Sequence, residues 1–441
     1  MLQNLVMLRK KLPLLAVMLL FCHFLQAQFL MDMVDTSKTM GKGLLQLYNK
    51  YNRIRISGYT QFQFQAVQTK GAKSFNGGDF ATNVNNRFMI RRGRIRFDYI
   101  RTDKKDRQQL QLAMQVDGTE KGFGIRDFWG RLYENKWQLF SFTIGMFARP
   151  FGYEVNLSSS DRESPERGRM SQILMRSERD LGLMVSFEPR KKDNPLKYLK
   201  WDIGVFNGQG IPGSLSEYDS YKDFISRISL KPVNIRKNIL LSAGLSGFAG
   251  GFIKTTKFIY STNINPIDNS KFFSVDSSTT NIGAKAPRTY YGADLQLKIL
   301  HKWGATEIRG EYWGGLQTAT ASTSETPATL TLEPYYKRNF DGGFFYVLQN
   351  IINTKNQIVL KYDWFDPNSK VSGNDIGKPG ANINATNIKY QTWGVGYNYY
   401  FNENLKLMLY YDKVINEKTQ LSGYTTDLKD NIFTCRLQFR F

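Results

Sequence analysis

From about Arg53 to its last residue the chain breaks into alternating apolar and polar segments of roughly ten residues, the period and length of strands that cross a membrane in a closed barrel. In the first segment Ile54, Ile56, Gly58, Thr60, Phe62 and Phe64 share one face, and Arg55, Ser57, Tyr59, Gln61, Gln63 and Gln65 share the other. A dry core would leave so many glutamines without partners, whereas a wet lumen solvates them. The alternation returns with Leu110, Leu112, Met114 and Val116 against Gln109, Gln111, Gln115 and Asp117. It returns again with Tyr291, Ala293, Leu295, Leu297 and Ile299 against Asp294, Gln296 and Lys298. Apolar faces meet lipid in this reading, and polar faces meet water. No stretch after the first thirty or so residues is long and apolar enough for a spanning helix, so strands must do the crossing.

The pattern predicts about sixteen strands, at 53–67, 86–100, 108–118, 124–134, 137–148, 181–189, 199–207, 223–231, 238–249, 289–300, 304–313, 342–350, 356–366, 390–401, 404–415 and 431–441. Connections alternate between short ones, as at Glu134–Lys136 and Phe401–Glu403, and long ones at 149–180, 250–288, 314–341 and 367–389. Short periplasmic turns and long outer loops produce that alternation. Strand-end aromatics (Trp129, Tyr133, Trp137, Tyr312, Trp313, Tyr399, Tyr400, Tyr410, Tyr411) suit girdles at two lipid–water interfaces. The last segment sets Phe433, Cys435, Leu437, Phe439 and Phe441 against Thr434, Arg436, Gln438 and Arg440. The fold class that follows is all-β: a transmembrane antiparallel barrel over residues 53–441. A periplasmic or surface β-sandwich is the soluble alternative.

Residues 1–27 predict an export signal: Arg9, Lys10 and Lys11, an apolar run from Leu12 to Phe24, and Ala27 before a cleavage point at Gln28 or Phe29. Phe21, preceding Cys22, is too bulky for a lipoprotein cleavage site. Residues 28–52 form an N-terminal segment with a short amphipathic helix or a frayed leader. A net charge of +22 would suggest nucleic acid in a cytosolic protein, but export points elsewhere. Removal of the signal leaves one cysteine, Cys435, and one histidine, His301, which is too few for an intramolecular disulfide, a cysteine- or histidine-built metal site, or a histidine relay. The reading therefore assigns no catalytic residue, no metal and no cofactor.

Several motifs in order, Arg91-Arg92-Gly93-Arg94, Ile125-Arg126-Asp127, Gly145 to Glu154, Ser164-Pro165-Glu166-Arg167, Gly204 to Gly208, Arg309 to Tyr312, Lys361 to Pro367 and Trp393 to Tyr400, resemble the phosphate-selective porin O and P family. The resemblance implies an outer-membrane barrel of sixteen strands, a homotrimer, and an inward-folded third loop, here 149–180, that narrows the pore. It also implies anion-site roles for Arg91, Arg92, Asp127 and Arg167. The positions of the family's constriction lysines hold Thr143, Val155 and Ser160, so the resemblance carries a general preference for anions and not phosphate specificity.

Strand parity puts Arg92, Arg94 and Arg96 on one face of the second strand, a ladder able to hold anions through charge-assisted contacts. Arg91 breaks that parity and requires a rim position or a β-bulge if it also faces the pore. The loop adds Arg149 and Arg167 among nearly balanced charges. The expected partners are small anionic or polar solutes and outer-membrane lipid, with no nucleic acid. A plugged barrel serving as scaffold for a surface assembly is the alternative function.

Overall fold

The computed structural model describes residues 53–211 and 217–441. The predicted export signal and the segment 28–52 lie outside them. The first half contains β1 (Ile54–Val67), β2 (Asn86–Thr102), β3 (Gln108–Thr119), β4 (Gly122–Tyr133), β5 (Phe140–Ala148), a short helix α1 (Arg169–Leu174), β6 (Arg179–Phe187), β7 (Leu199–Phe206), β8 (Asp223–Arg236) and β9 (Ile239–Ile253). The second half contains β10 (Ile259–Ile264), β11 (Lys271–Asp276), β12 (Lys285–His301), β13 (Gly304–Thr320), β14 (Tyr335–Asn350), β15 (Asn356–Asp366), β16 (Tyr390–Tyr400), β17 (Leu405–Asn416) and β18 (Ile432–Arg440).

Sixteen of these strands form the closed antiparallel barrel. β9 pairs with β12, and β18 closes on β1 from Tyr59 opposite Arg440 to Val67 opposite Ile432. Closure leaves no open edge in the wall, as a lipid environment demands. The short turns are tight: only Lys237 and Asn238 join β8 to β9, and Asn238 adopts a left-handed φ of 67°, which asparagine tolerates.

The faces follow the predicted parity. Ile56, Phe62, Ile95, Phe97, Leu112, Tyr291 and Leu295 are exposed on the outside, while Gln61, Gln63, Gln65, Arg92, Arg94, Asp294 and Gln296 are buried inside the wall. On the closing strand Phe433, Phe439 and Phe441 face out, and Thr434, Arg436 and Gln438 face in.

Three expectations need correction. β10 and β11 form an additional hairpin within the long segment after β9, and β10 lies parallel to the start of β14. Phe273 of this hairpin packs with Val371, Ile376, Ile383 and Ile388 of the β15–β16 loop, which gives the outer loops a small core of their own. Second, β13 and β14 run further than predicted, so the loop between them shrinks to 321–334. Third, the aromatic girdle does not include Trp313 or Tyr410, whose side chains are buried and turned inward, or Trp129, which packs against the core between loop and inner wall. Tyr312 and Tyr411, next to Trp313 and Tyr410, are the exposed members, because adjacent strand residues point to opposite faces.

Candidate functional site

The connection between β5 and β6, residues 149–178, lies against the inner wall. Phe151, Val155, Met170, Ile173, Leu174 and Met175 pack with Met184, Phe206, Ile225, Phe248, Tyr290, Trp313, Phe340 and Phe365 of the barrel strands. Phe151 meets Trp313 edge to face at 4.8 Å between centroids. Gly152 allows the close approach: its φ is +68°, and a Cβ there would sit 2.3 Å from Glu311 Oε1 and 2.6 Å from the Trp313 ring. Glu311 then accepts hydrogen bonds from the backbone N–H groups of Tyr153 (2.7 Å) and Glu154 (2.9 Å).

Loop carboxylates make the other attachments. Glu166 takes ion pairs from Arg91 (2.7 Å), Arg92 (2.5 Å) and Arg436 (3.0 Å). Burial by itself would raise the Glu166 carboxyl, but those three guanidiniums outweigh it and hold it well below the usual carboxylate range. Arg309 grips Glu163 with two nitrogens, at 2.7 and 2.9 Å. Glu154 turns back on its own loop and accepts from Gly168 N–H and from the Ser171 hydroxyl at 2.6 Å. Lys406 donates to the carbonyls of Ser160 and Arg162.

Two cavities flank this loop. The outer one, about 1010 Å³, is lined in part by Lys73, Phe75 and Asp79 of the β1–β2 loop and by Thr323, Glu325 and Thr326 beyond β13. Ten basic and five acidic side chains line it. The inner one, about 370 Å³, opens beside Ser57 and Gly58 at the start of β1 and Arg440 and Phe441 at the end of β18, the opposite end of the barrel. Both are lined by Arg94, Glu178 and Arg179.

Six of the seven residues singled out in the sequence line one or both of these cavities, and the seventh, Asp127, adjoins them. Arg91, Arg92, Arg94, Arg149 and Arg167 line the outer cavity, and Arg94 and Arg96 line the inner one. Asp127 stands behind them and holds Arg179 Nε at 3.1 Å. The ladder carries its own counter-ions: Arg92 pairs with Glu166, Arg94 with Asp117 at 2.9 Å, and Arg96 with Asp98 at 2.6 Å. Arg94 also donates to the hydroxyls of Tyr59 and Ser159. Arg149 spans the two ends of the loop through the Ser177 carbonyl, and Arg167 reaches Glu178 at 3.1 Å. Arg91 does reach the lumen: consecutive residues 91 and 92 both bond Glu166, so the alternation breaks between them.

Sequence reasoning did not assign Arg126, Arg179 or Arg436 to the site. Arg126 enters through a β-bulge. Gln115 opposes Asp127 and Val116 opposes Ile125, so Arg126 has no opposite residue. Arg126 and Asp127 consequently both serve the lumen, Arg126 on Glu178 and Asp127 on Arg179. Arg436 was visible on the polar face of the last segment, and only its Glu166 partner was not. The positions of the family's lysines serve the wall and loop instead: Thr143 accepts from Arg131 (2.7 Å), Val155 belongs to the apolar seat, and the Ser160 carbonyl binds Lys406.

Residues 336–441 match the family model described as phosphate-selective porin O and P. The closing strands, β14 to β18, are thus similar to that family, and they belong to a porin-type barrel of the bacterial outer membrane. Solved structures agree in fold. The outer membrane channel DcaP of Acinetobacter baumannii superposes with a TM-score of 0.54 at 13% identity, covering 88% of this chain and 97% of that one. An anion-selective porin from Comamonas acidovorans gives 0.52 at 9% identity over 88% and 99%, and Pseudomonas putida OprB gives 0.52 at 8% over 91% and 96%. No curated protein matches this chain by sequence.

Proposed function

We propose that this porin is a passive channel for small anionic or polar solutes and that guanidinium groups along its lumen give it a preference for anions. The observation that carries the reading is the pair of cavities at opposite ends of the barrel, joined in their lining by Arg94, Glu178 and Arg179, with the outer one lined by twice as many basic as acidic side chains. A basic, water-filled passage concentrates anions and repels cations. Arg91, Arg92, Arg94, Arg96, Arg149 and Arg167 contribute to that field, and Asp127 positions Arg179 within it. In the same reading residues 1–27 are an export signal, residues 28–52 precede the barrel, and the working assembly is a homotrimer.

Proteoliposome swelling tests the proposal. In isosmotic solutions of a small carboxylate, a neutral pentose and a quaternary ammonium ion of similar size, the carboxylate should enter faster than the ammonium ion. The reverse order would remove the arginines from the permeation path. The apolar seating of loop 149–178 across much of the inner wall favours a second reading, a plugged barrel that acts as scaffold. Absence of swelling with every solute, together with a stoichiometric copurifying partner, would decide for it.

A further inference from the structure

Glu178 is the last residue of the inward loop before β6. Its carboxylate is bonded by Arg126 and Arg179, and Arg167 Nε lies 3.1 Å from its other oxygen. The three guanidiniums come from three places, β4, the loop and β6, and converge on one planar anion. Burial alone would raise this carboxyl, yet the charges of Arg167, Arg126 and Arg179 hold it well below the usual range. Arg94 stands beside the cluster and pairs with Asp117, which also lies 3.7 Å from Arg126. Arg126 Nε is buried without a hydrogen-bond partner among the described residues, so the cluster retains donor capacity that Glu178 does not use.

We infer that Arg126, Arg167 and Arg179 form a binding site for a small carboxylate in transit, and that the Glu178 side chain is its tethered competitor. The inference rests on the anion-channel reading and adds to it a site, a ligand class and a means of tuning. Guanidinium forks suit the planar, two-oxygen geometry of a carboxylate, and Glu178 already shows that geometry in place. Glu178 lines both cavities, so a solute passing from one to the other meets this cluster. With the tether in place the site is occupied and an incoming carboxylate must displace it. Without it, three guanidiniums face the passage and the carboxylate is retained. The native side chain therefore favours throughput over retention, as conduction requires of any site on its path.

The test uses the full-length porin in planar bilayers, with acetate as the probe. In wild type, acetate should leave the chloride current nearly unchanged. In Glu178→Gln it should reduce the current along a saturating curve, with apparent acetate affinity roughly tenfold higher, or ~1.4 kcal/mol. The chloride-to-potassium permeability ratio of Glu178→Gln should also rise. Glu178→Asp keeps the charge but draws it back by one methylene and should show a weaker version of the same block, so the site remains testable if the glutamine variant assembles poorly. The double variant E178Q/R126Q should lose the block. If wild type selects cations, the channel reading itself fails. If wild type selects anions and neither E178Q nor E178D changes selectivity or acetate dependence, the channel reading stands and the tethered-competitor inference is overturned.

Discussion

Glu166 and Glu178 belong to the same inward loop and each is held by three arginines, yet Glu166 is buried while Glu178 is only partly so, and they sit in different surroundings. The partners of Glu166 come from the wall, Arg91 and Arg92 on β2 and Arg436 on β18, and its side chain is 3% exposed. The partners of Glu178 include one from the loop itself, its side chain is 11% exposed, and it lines both cavities, whereas Glu166 borders only the outer one. The same chemistry thus fastens a loop at one end and faces a passage at the other. Whether a three-arginine carboxylate is an anchor or a site depends on what lies on its open side, not on the ion pairs.

The sharpest way to break the comparison is Glu166→Gln, which leaves buried guanidiniums uncompensated. Removing one partner of a buried pair costs about 3–5 kcal/mol, so amide hydrogen exchange across residues 153–175 should accelerate strongly. Trp313→Ala removes the other kind of attachment, the apolar seat beneath Phe151, at a cost of about 3–5 kcal/mol, and should release the same segment. If either variant leaves exchange unchanged, the loop is not held where the contacts indicate. Glu178→Gln should disturb exchange far less, by about 1 kcal/mol, because its arginines keep Asp117, Asp127 and water as partners. A loosening as large as that of Glu166→Gln would erase the distinction between anchor and site.

Acid sharpens the same contrast. The Glu166 carboxyl is depressed in the folded state, so its stabilisation is present above the unfolded value of 4.5 and is lost as pH falls through the lower folded value. Loop exchange should stay slow at pH 4.5 and rise only below it. Loosening already at about pH 6 would show that Glu166 is not what holds the loop. The smallest effect belongs to Arg440 and Asp161, a pair with both side chains about half exposed. Arg440→Gln should change loop exchange by about 0–1 kcal/mol.

Much of the barrel was legible in the sequence because a wall between lipid and water imposes a strict period of two. All sixteen wall strands and the inward faces of Gln61, Gln63, Gln65, Arg92, Arg94 and Arg436 follow from it. What escaped is what alternation cannot encode. The bulge that turns Arg126 inward and the break that lets Arg91 join Arg92 are local violations of the period. Phe248, Tyr290 and Trp313 face the lumen side yet are apolar, because the loop, not water, covers them. Their burial is a tertiary fact, and no window of sequence around Trp313 distinguishes a ring packed on Phe151 from one in an interfacial girdle. His301, the one histidine among the described residues, ends β12 at the turn before Gly304.

The most direct test of the central claim, that the passage through this barrel is lined by working arginines, is the zero-current potential of the purified wild-type porin in a planar bilayer under a potassium chloride gradient. A potential on the chloride side is the predicted result. A potential on the potassium side would contradict the account and place the basic side chains of both cavities outside the conduction path.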